Sequence, residues 1–200
     1  KYKISIVSKI IKKNKSDYLF ISAPENVSWL LNIRGSDVPF SPVTNCNCLI
    51  GKNKKDLLIG KKNKFKKLLK ERKISKNQII DPKNLIRLFK GLKGKKFIID
   101  EKTCSIFNEG LIAEKFHIKE RVDPCYLLKA KKNLAEIHNM IKSHIEDGVA
   151  LTKFIFWIKN NQKLGLTELD AEKKLEYLRK QNKNYLYPSF NTIAGSGPNG

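Results

Sequence analysis

Phe97-Ile98-Ile99-Asp100-Glu101-Lys102-Thr103-Cys104-Ser105-Ile106-Phe107 passes from an apolar run, through a polar bend, into a second stretch with apolar residues. A short run bounded by turn residues reads as a strand over Phe97–Asp100, and the longer stretch after it as a helix over Cys104–Ala113. The same alternation extends both ways. Upstream lie a helix near Phe65–Lys70, a strand at Gln78–Ile80 and a helix at Asn84–Leu92; downstream lies a strand at Phe116–Val122. Strands interleaved with helices of about ten residues indicate an α/β layer rather than a sandwich. Nearer the N-terminus, Cys46–Ile50 and Asp56–Ile59 flank the polar turn Gly51-Lys52-Asn53-Lys54-Lys55, a hairpin signature. Ile4, Val7 and Ile11 recur at helical spacing and predict an amphipathic helix over residues 2–13, followed by a strand at Tyr18–Ile21. Pro24 opens a helix whose apolar positions are Val27, Leu30 and Leu31, with Trp29 as a packing anchor and Gly35 placed to close it.

This unit ends near Asp123-Pro124, because the residue before a proline disfavours helix. Beyond it Ile137, Ile141 and Ile145 repeat at i+4, and the pattern continues through Val149 to Leu151, Phe154, Ile155 and Ile158. One helix over Asn133–Asn160 is predicted. Gly148 inside it costs about 1 kcal/mol against alanine and points to a close helix contact. Thr167-Glu168-Leu169-Asp170 has the form of a capping box, opening a second helix with Ala171, Leu175 and Leu178 inward. Two helices leading into a strand with no sheet partner cannot close a core. The final stretch, Tyr187–Gly200, gathers Gly195, Gly197 and Gly200 around Pro198 and Asn199. That is turn chemistry leading to another element, so the chain is expected to be a fragment of a longer protein.

The composition narrows the function classes. No apolar run is long enough for a membrane span, and no secretory h-region opens the chain. The formal charge of +22 invites a nucleic-acid reading, but only five of the 41 basic residues are arginine, the residue whose planar fork reads bases and phosphates. The lysines are spread through every segment beside much Asn and Ile, which reads as solvated faces with weak, salt-sensitive polyanion adhesion rather than a specific nucleic-acid site. Cys46, Cys48, Cys104 and Cys125 lack a C-x-x-C pair and are expected as buried free thiols.

Asn26-Val27-Ser28-Trp29-Leu30-Leu31-Asn32-Ile33-Arg34-Gly35-Ser36-Asp37-Val38-Pro39 resembles the middle domain of the large Xaa-Pro aminopeptidases (aminopeptidase P), of the creatinase/pita-bread metallopeptidases. The resemblance resumes, in order, at Leu128–Lys132, His144–Ala150, Leu166–Ala171, Ser189–Ile193 and Gly197–Gly200. It implies an α/β creatinase-type amino-terminal domain, a mixed sheet with flanking helices, over residues 1–126. The start of an α+β pita-bread catalytic domain would follow over 127–200. It further implies removal of an N-terminal residue from peptides with proline second, two divalent metal ions, usually manganese, and a homodimer; the lack of an apolar span or h-region makes a cytoplasmic setting the expectation. The family's ligands, two aspartates, a histidine and two glutamates, all follow the matched stretches. No catalytic and no metal-binding residue is therefore assigned within 1–200, and this stretch alone is expected to be inactive and metal-free.

Three residues are candidates for a site. By the resemblance Phe190 sits on a strand reaching the catalytic cleft and lines the substrate pocket. Arg34 and Asp37 are the polar members of the most specific string and read as an ion pair fixing the loop after a helix, or as an interface with the catalytic unit or a dimer partner. Glu146, Asp147, Glu168, Asp170, Glu172 and Glu176 read as solvent-facing or capping. His138 and His144 diverge by about 240° on a helix and cannot share a metal as i,i+4 histidines do. A non-catalytic pita-bread module that binds peptides or proteins is the alternative function. The Arg34-Gly35-Ser36-Asp37 string favours the peptidase.

Overall fold

Strands covered on both faces lose the apolar–polar alternation, and Leu19–Ile21, Cys48–Ile50 and Phe97–Ile99 are such unbroken apolar runs. The computed structural model describes residues 2–162 and 165–200. Two compact units divide the chain, one running to Val38 and resuming over Pro42–Lys131, the other comprising Pro39–Ser41 and Lys132–Gly200.

The first unit is built on six strands: β1 (Tyr18–Ile21), β2 (Asn47–Gly51), β3 (Asp56–Ile59), β4 (Ile79–Ile80), β5 (Lys96–Ile99) and β6 (His117–Glu120). They form one mixed sheet in the order β4-β3-β2-β1-β5-β6. β2 is antiparallel to β3, as their tight hairpin requires, and to β1, whereas β1–β5, β5–β6 and β3–β4 are parallel, the last two pairs joined by longer crossovers. Around the sheet lie α1 (Tyr2–Lys13), α2 (Pro24–Leu31), α3 (Lys66–Lys70), α4 (Leu85–Gly91), α5 (Ile106–Ala113) and α6 (Pro124–Ala130).

The period of two sorts the strand side chains onto two cores. Leu19, Ile21, Cys48, Ile50, Leu58 and Ile98 pack with Val7 and Ile11 of α1, Val27 and Leu30 of α2, and Cys125 of α6. Phe20, Leu49, Leu57, Ile59, Phe97 and Ile99 pack with Leu85 and Phe89 of α4 and Ile112 of α5. The sheet is thus covered on both faces. Phe97 is the hub of the second core, with its ring centroid 5.1 Å from Tyr18, 5.8 Å from Phe89 and 4.9 Å from Phe116.

Asp17 fixes the start of β1 against the turn before β5. Its carboxylate accepts hydrogen bonds from Lys52 Nζ at 2.6 Å and from the backbone N–H groups of Lys95 at 2.7 Å and Lys96 at 3.1 Å. Gly94 has φ of 144°, and a Cβ there would meet the Asp17 carboxyl at 2.9 Å. The Lys52 ammonium, then the Lys95 amide, hold the Asp17 carboxyl down at about 2. A carboxyl lowered on folding stabilises the protein above its unfolded value and stops doing so as pH falls towards its folded value. Urea midpoints should therefore fall between about pH 4 and pH 2, and more steeply in the wild type than in Asp17→Asn.

The second unit holds α7 (Leu134–Asn161) and α8 (Glu168–Lys180). Both start on capping boxes, Asn133 with Glu136 and Thr167 with Asp170. Ile141, Ile145 and Val149, which recur at i+4 along the helix, remain 57%, 63% and 51% exposed. At 1.5 Å per residue α7 is about twice as long as α8, which cannot cover all of it. Three expectations change. A Cβ added at Gly148 would meet nothing within 4 Å, so no close helix contact explains this glycine. The expected strand at Phe190 is absent, residues 185–196 having no regular structure; among the described residues the second unit offers no strand to pair with it. α2 ends at Asn32 rather than Gly35, with Asn32 left-handed at φ 53° and Ile33 N–H donating to Ser28 O at 3.0 Å.

Candidate functional site

The string that carries the resemblance is held by backbone and side-chain contacts rather than by chemistry aimed at a substrate. In α2, Val27 and Leu30 enter the first core, and Trp29 lies under Lys3, whose Nζ sits 4.1 Å from the ring centroid. Ser28 Oγ accepts from the Thr44 N–H at 3.2 Å, tying the helix to the strand side of the loop. Gly35 donates to Pro42 O at 3.3 Å, and a Cβ there would lie 2.9 Å from both Thr44 Cα and Val43 O. Those are backbone atoms, which cannot swing away. Gly35→Ala should cost about 1–3 kcal/mol through overpacking, read as a lower urea midpoint at unchanged m-value.

The expected Arg34–Asp37 pair does not form. Arg34 Nη1 donates to the carbonyl of Ile33 at 2.9 Å and is otherwise exposed. Asp37 instead accepts from Lys64 Nζ at 2.9 Å and from the Asn45 N–H at 2.9 Å. Three residues apart in a loop, the two side chains lack the common face that a helix gives. The Lys64 ammonium lowers the Asp37 carboxyl, so Asp37 is ionised and fixes the loop to the segment after β3.

A buried polar knot is the part that sequence reading missed. Asn26, fully buried on α2, donates through Nδ2 to Asp123 Oδ2 at 2.7 Å. Asp123 caps α6 by accepting the Cys125 N–H at 2.8 Å, and its own N–H donates to Asp100 Oδ2 at 2.8 Å. Asp100 accepts the Lys102 N–H at 3.1 Å, and Ser22 and Thr103 share a hydroxyl hydrogen bond of 2.7 Å. The knot joins α2, the ends of β1 and β5, and the start of α6. Asn26 Oδ1 is buried with no partner. Burial raises the Asp123 carboxyl, against the Cys125 N–H and Asn26 hydrogen bonds that lower it. The four cysteines are free and buried, and burial pushes every thiol upward, Cys46 to about 12 and Cys104 to about 11, so none is an activated nucleophile.

A family profile described as Creatinase/Prolidase N-terminal domain matches residues 1–136. The chain belongs to this family. Among curated relatives, a probable Xaa-Pro aminopeptidase P of Paracoccidioides lutzii is 32% identical over 98% of this chain and 34% of its own length. That of Ajellomyces dermatitidis is 33% identical over the same shares, and that of Aspergillus fumigatus 32% over 99% of this chain and 32% of its own length. The chain therefore spans about a third of the length of these relatives. Among solved structures, X-prolyl aminopeptidase from Caenorhabditis elegans, described as a cytosolic enzyme with a di-nuclear active site, matches with a TM-score of 0.83 at 22% identity, over 96% of this chain and 32% of that one. Xaa-Pro dipeptidase from Bacillus anthracis matches with 0.66 at 14% identity, over 90% of this chain and 48% of that one. These structures show the creatinase-type fold, with its mixed sheet and flanking helices.

Among the described residues no three His, Cys, Asp or Glu side chains are grouped to hold a metal ion. Several acidic residues of the second unit are engaged in helix contacts and caps. Arg179 grips Asp147 through Nε–Oδ1 at 2.7 Å and Nη2–Oδ2 at 3.0 Å, and Asn182 Nδ2 donates to Glu146 Oε2 at 2.6 Å. Glu168 accepts from the Ser196 N–H, and Asp170 caps α8. His144 Nδ1 faces the Met140 carbonyl at 2.9 Å, the ordinary helical hydrogen bond expected of it. Two divalent ions do not fit this donor set. Phe190 is 67% exposed on a segment without regular structure. Among the described residues no helix is long and apolar enough to cross a membrane.

Proposed function

We propose that this chain is the scaffold portion of a cytoplasmic, homodimeric Xaa-Pro aminopeptidase that hydrolyses the bond between an N-terminal residue and a following proline. The observation carrying this reading is identity of 32–33% over 98–99% of the chain with Xaa-Pro aminopeptidase P relatives about three times as long. Residues 1–126 are assigned to the creatinase-type domain and 127–200 to the opening of the pita-bread catalytic domain.

The relatives are about three times as long as this chain, which supports assigning the two divalent ions, taken as manganese, and the hydrolytic step to the remaining part of such a protein. Arg34, whose guanidinium is exposed and bonded only to the neighbouring carbonyl, is assigned an interface role, with Asp37 holding its loop in place through Lys64. Phe190 is assigned to the wall of the substrate pocket. The longer polypeptide that contains this chain should cleave a peptide with proline second and leave the same peptide with alanine second intact. Equal cleavage of both peptides, read by mass spectrometry, would overturn the specificity assigned here.

A further inference from the structure

Residues 61–77 concentrate charge beyond the background of the chain, with +8 over 17 residues against +22 over 200. Nine cations and one anion stand in this stretch, and all nine cationic residues are exposed. Two are engaged, Lys64 with Asp37 and Lys73 with Glu71 at 2.8 Å. Within the same stretch lies a hollow of ≈ 420 Å³ whose lining includes Leu69 and Ile74 beside Arg72, Lys73, Lys76 and Gln78.

The backbone at the hollow is unusual. α3 ends in a Schellman-type closure, Lys73 N–H donating to Leu68 O at 3.0 Å and Arg72 N–H to Leu69 O at 3.1 Å. Arg72 occupies the left-handed position at φ 53°, where glycine is the residue without steric cost. A cationic side chain stands on the rim of the hollow at the expense of backbone ease.

The chemistry distinguishes among anionic partners. The stretch has one arginine and no exposed aromatic ring, its single aromatic, Phe65, being 1% exposed, so nucleobases find neither a bidentate fork row nor a stacking platform. Leu69 and Ile74 are half-buried, forming a recess rather than an apolar projection that could enter a lipid surface. Cations around an apolar recess match an acidic protein segment that inserts an aliphatic side chain. We infer that residues 61–77 form a docking surface for an acidic, extended peptide segment whose leucine- or isoleucine-type side chain fills the hollow between Leu69 and Ile74.

The test uses the 200-residue chain and fluorescence anisotropy at about 150 mM salt, where surface charge alone is largely screened. The probes are an oligoglutamate peptide with one central leucine, the same peptide with glycine at that place, an oligouridylate, and vesicles containing phosphatidylserine. The leucine peptide should bind about tenfold more tightly than the glycine peptide, the gain expected from burying one aliphatic side chain. Arg72→Gly should weaken that binding about threefold while the melting temperature holds or rises, a combination that a merely structural Arg72 would not produce. Lys66→Glu with Lys70→Glu should abolish it. Equal binding of the two peptides, or tighter binding of the oligouridylate or the vesicles, would overturn the proposal.

Discussion

Phe97→Ala is expected to destabilise the first unit by about 3–5 kcal/mol, the usual cost of emptying a fully packed aromatic site. Phe97 is fully buried on β5, beside three other rings, and its register partner on β1 is Tyr18. Its loss leaves Tyr18, Phe89 and Phe116 without a common neighbour, and the rigid sheet behind them cannot collapse into the space. Phe97→Leu, which keeps most of the volume, should cost about 1 kcal/mol. The check is the urea midpoint of each variant at constant m-value. A loss below about 1 kcal/mol for the alanine variant would show that β5 is not the centre of the second core.

Asp123→Ala is expected to cost about 3 kcal/mol, combining a lost helix cap with a buried amide left without its acceptor. Asn26 is fully buried and already has an unpartnered Oδ1, so removing the carboxylate leaves neither end of its amide bonded. Asp123→Asn keeps an oxygen for the Cys125 N–H and should be markedly milder. It also carries a pH signature. Burial raises the Asp123 carboxyl on folding, so its protonated form contributes stability at low pH, which is lost as pH rises through the folded value. Asp17 has the opposite sign, because its folded value lies at about 2. The decline in stability from about pH 4 upward should therefore be shallower in Asp123→Asn than in the wild type. Parallel profiles in the two proteins would remove Asp123 from that account.

The strands were legible because a sheet covered on both faces writes itself as apolar runs, and the hairpin turn separates two of them without ambiguity. Helices α1 and α2 followed from the spacing of Ile4, Val7 and Ile11 and from Pro24, whereas α6, opening at Pro124, was not read. The burial of all four thiols followed from ordinary cysteine chemistry. Long-range polar contacts were not legible. Asn26 and Asp123 stand 97 residues apart, and each alone resembles a common capping or turn residue. The Arg34–Asp37 expectation failed because nearness in sequence supplied an attractive local partner, whereas the fold brings Lys64 to Asp37 from 27 residues away. Gly35 drew attention as a helix stop when its use is to let the loop pass close to Thr44, while Asn32 supplies the left-handed turn. At Phe190 the resemblance implied a strand, but strand formation depends on a pairing neighbour, and the second unit offers none among its described residues.

The identity of the first unit and the chemistry assigned to the longer protein rest on different observations. The family profile and the mixed sheet establish the creatinase-type domain. The proposal that the hydrolytic step lies outside the chain rests on the chain spanning about a third of the length of its Xaa-Pro aminopeptidase P relatives. The most direct test is to incubate the purified 200-residue chain with manganese and a peptide whose second residue is proline, following release of the first residue by mass spectrometry. No release above a protein-free control is the expected result; release that scales with the concentration of the chain would contradict the scaffold assignment.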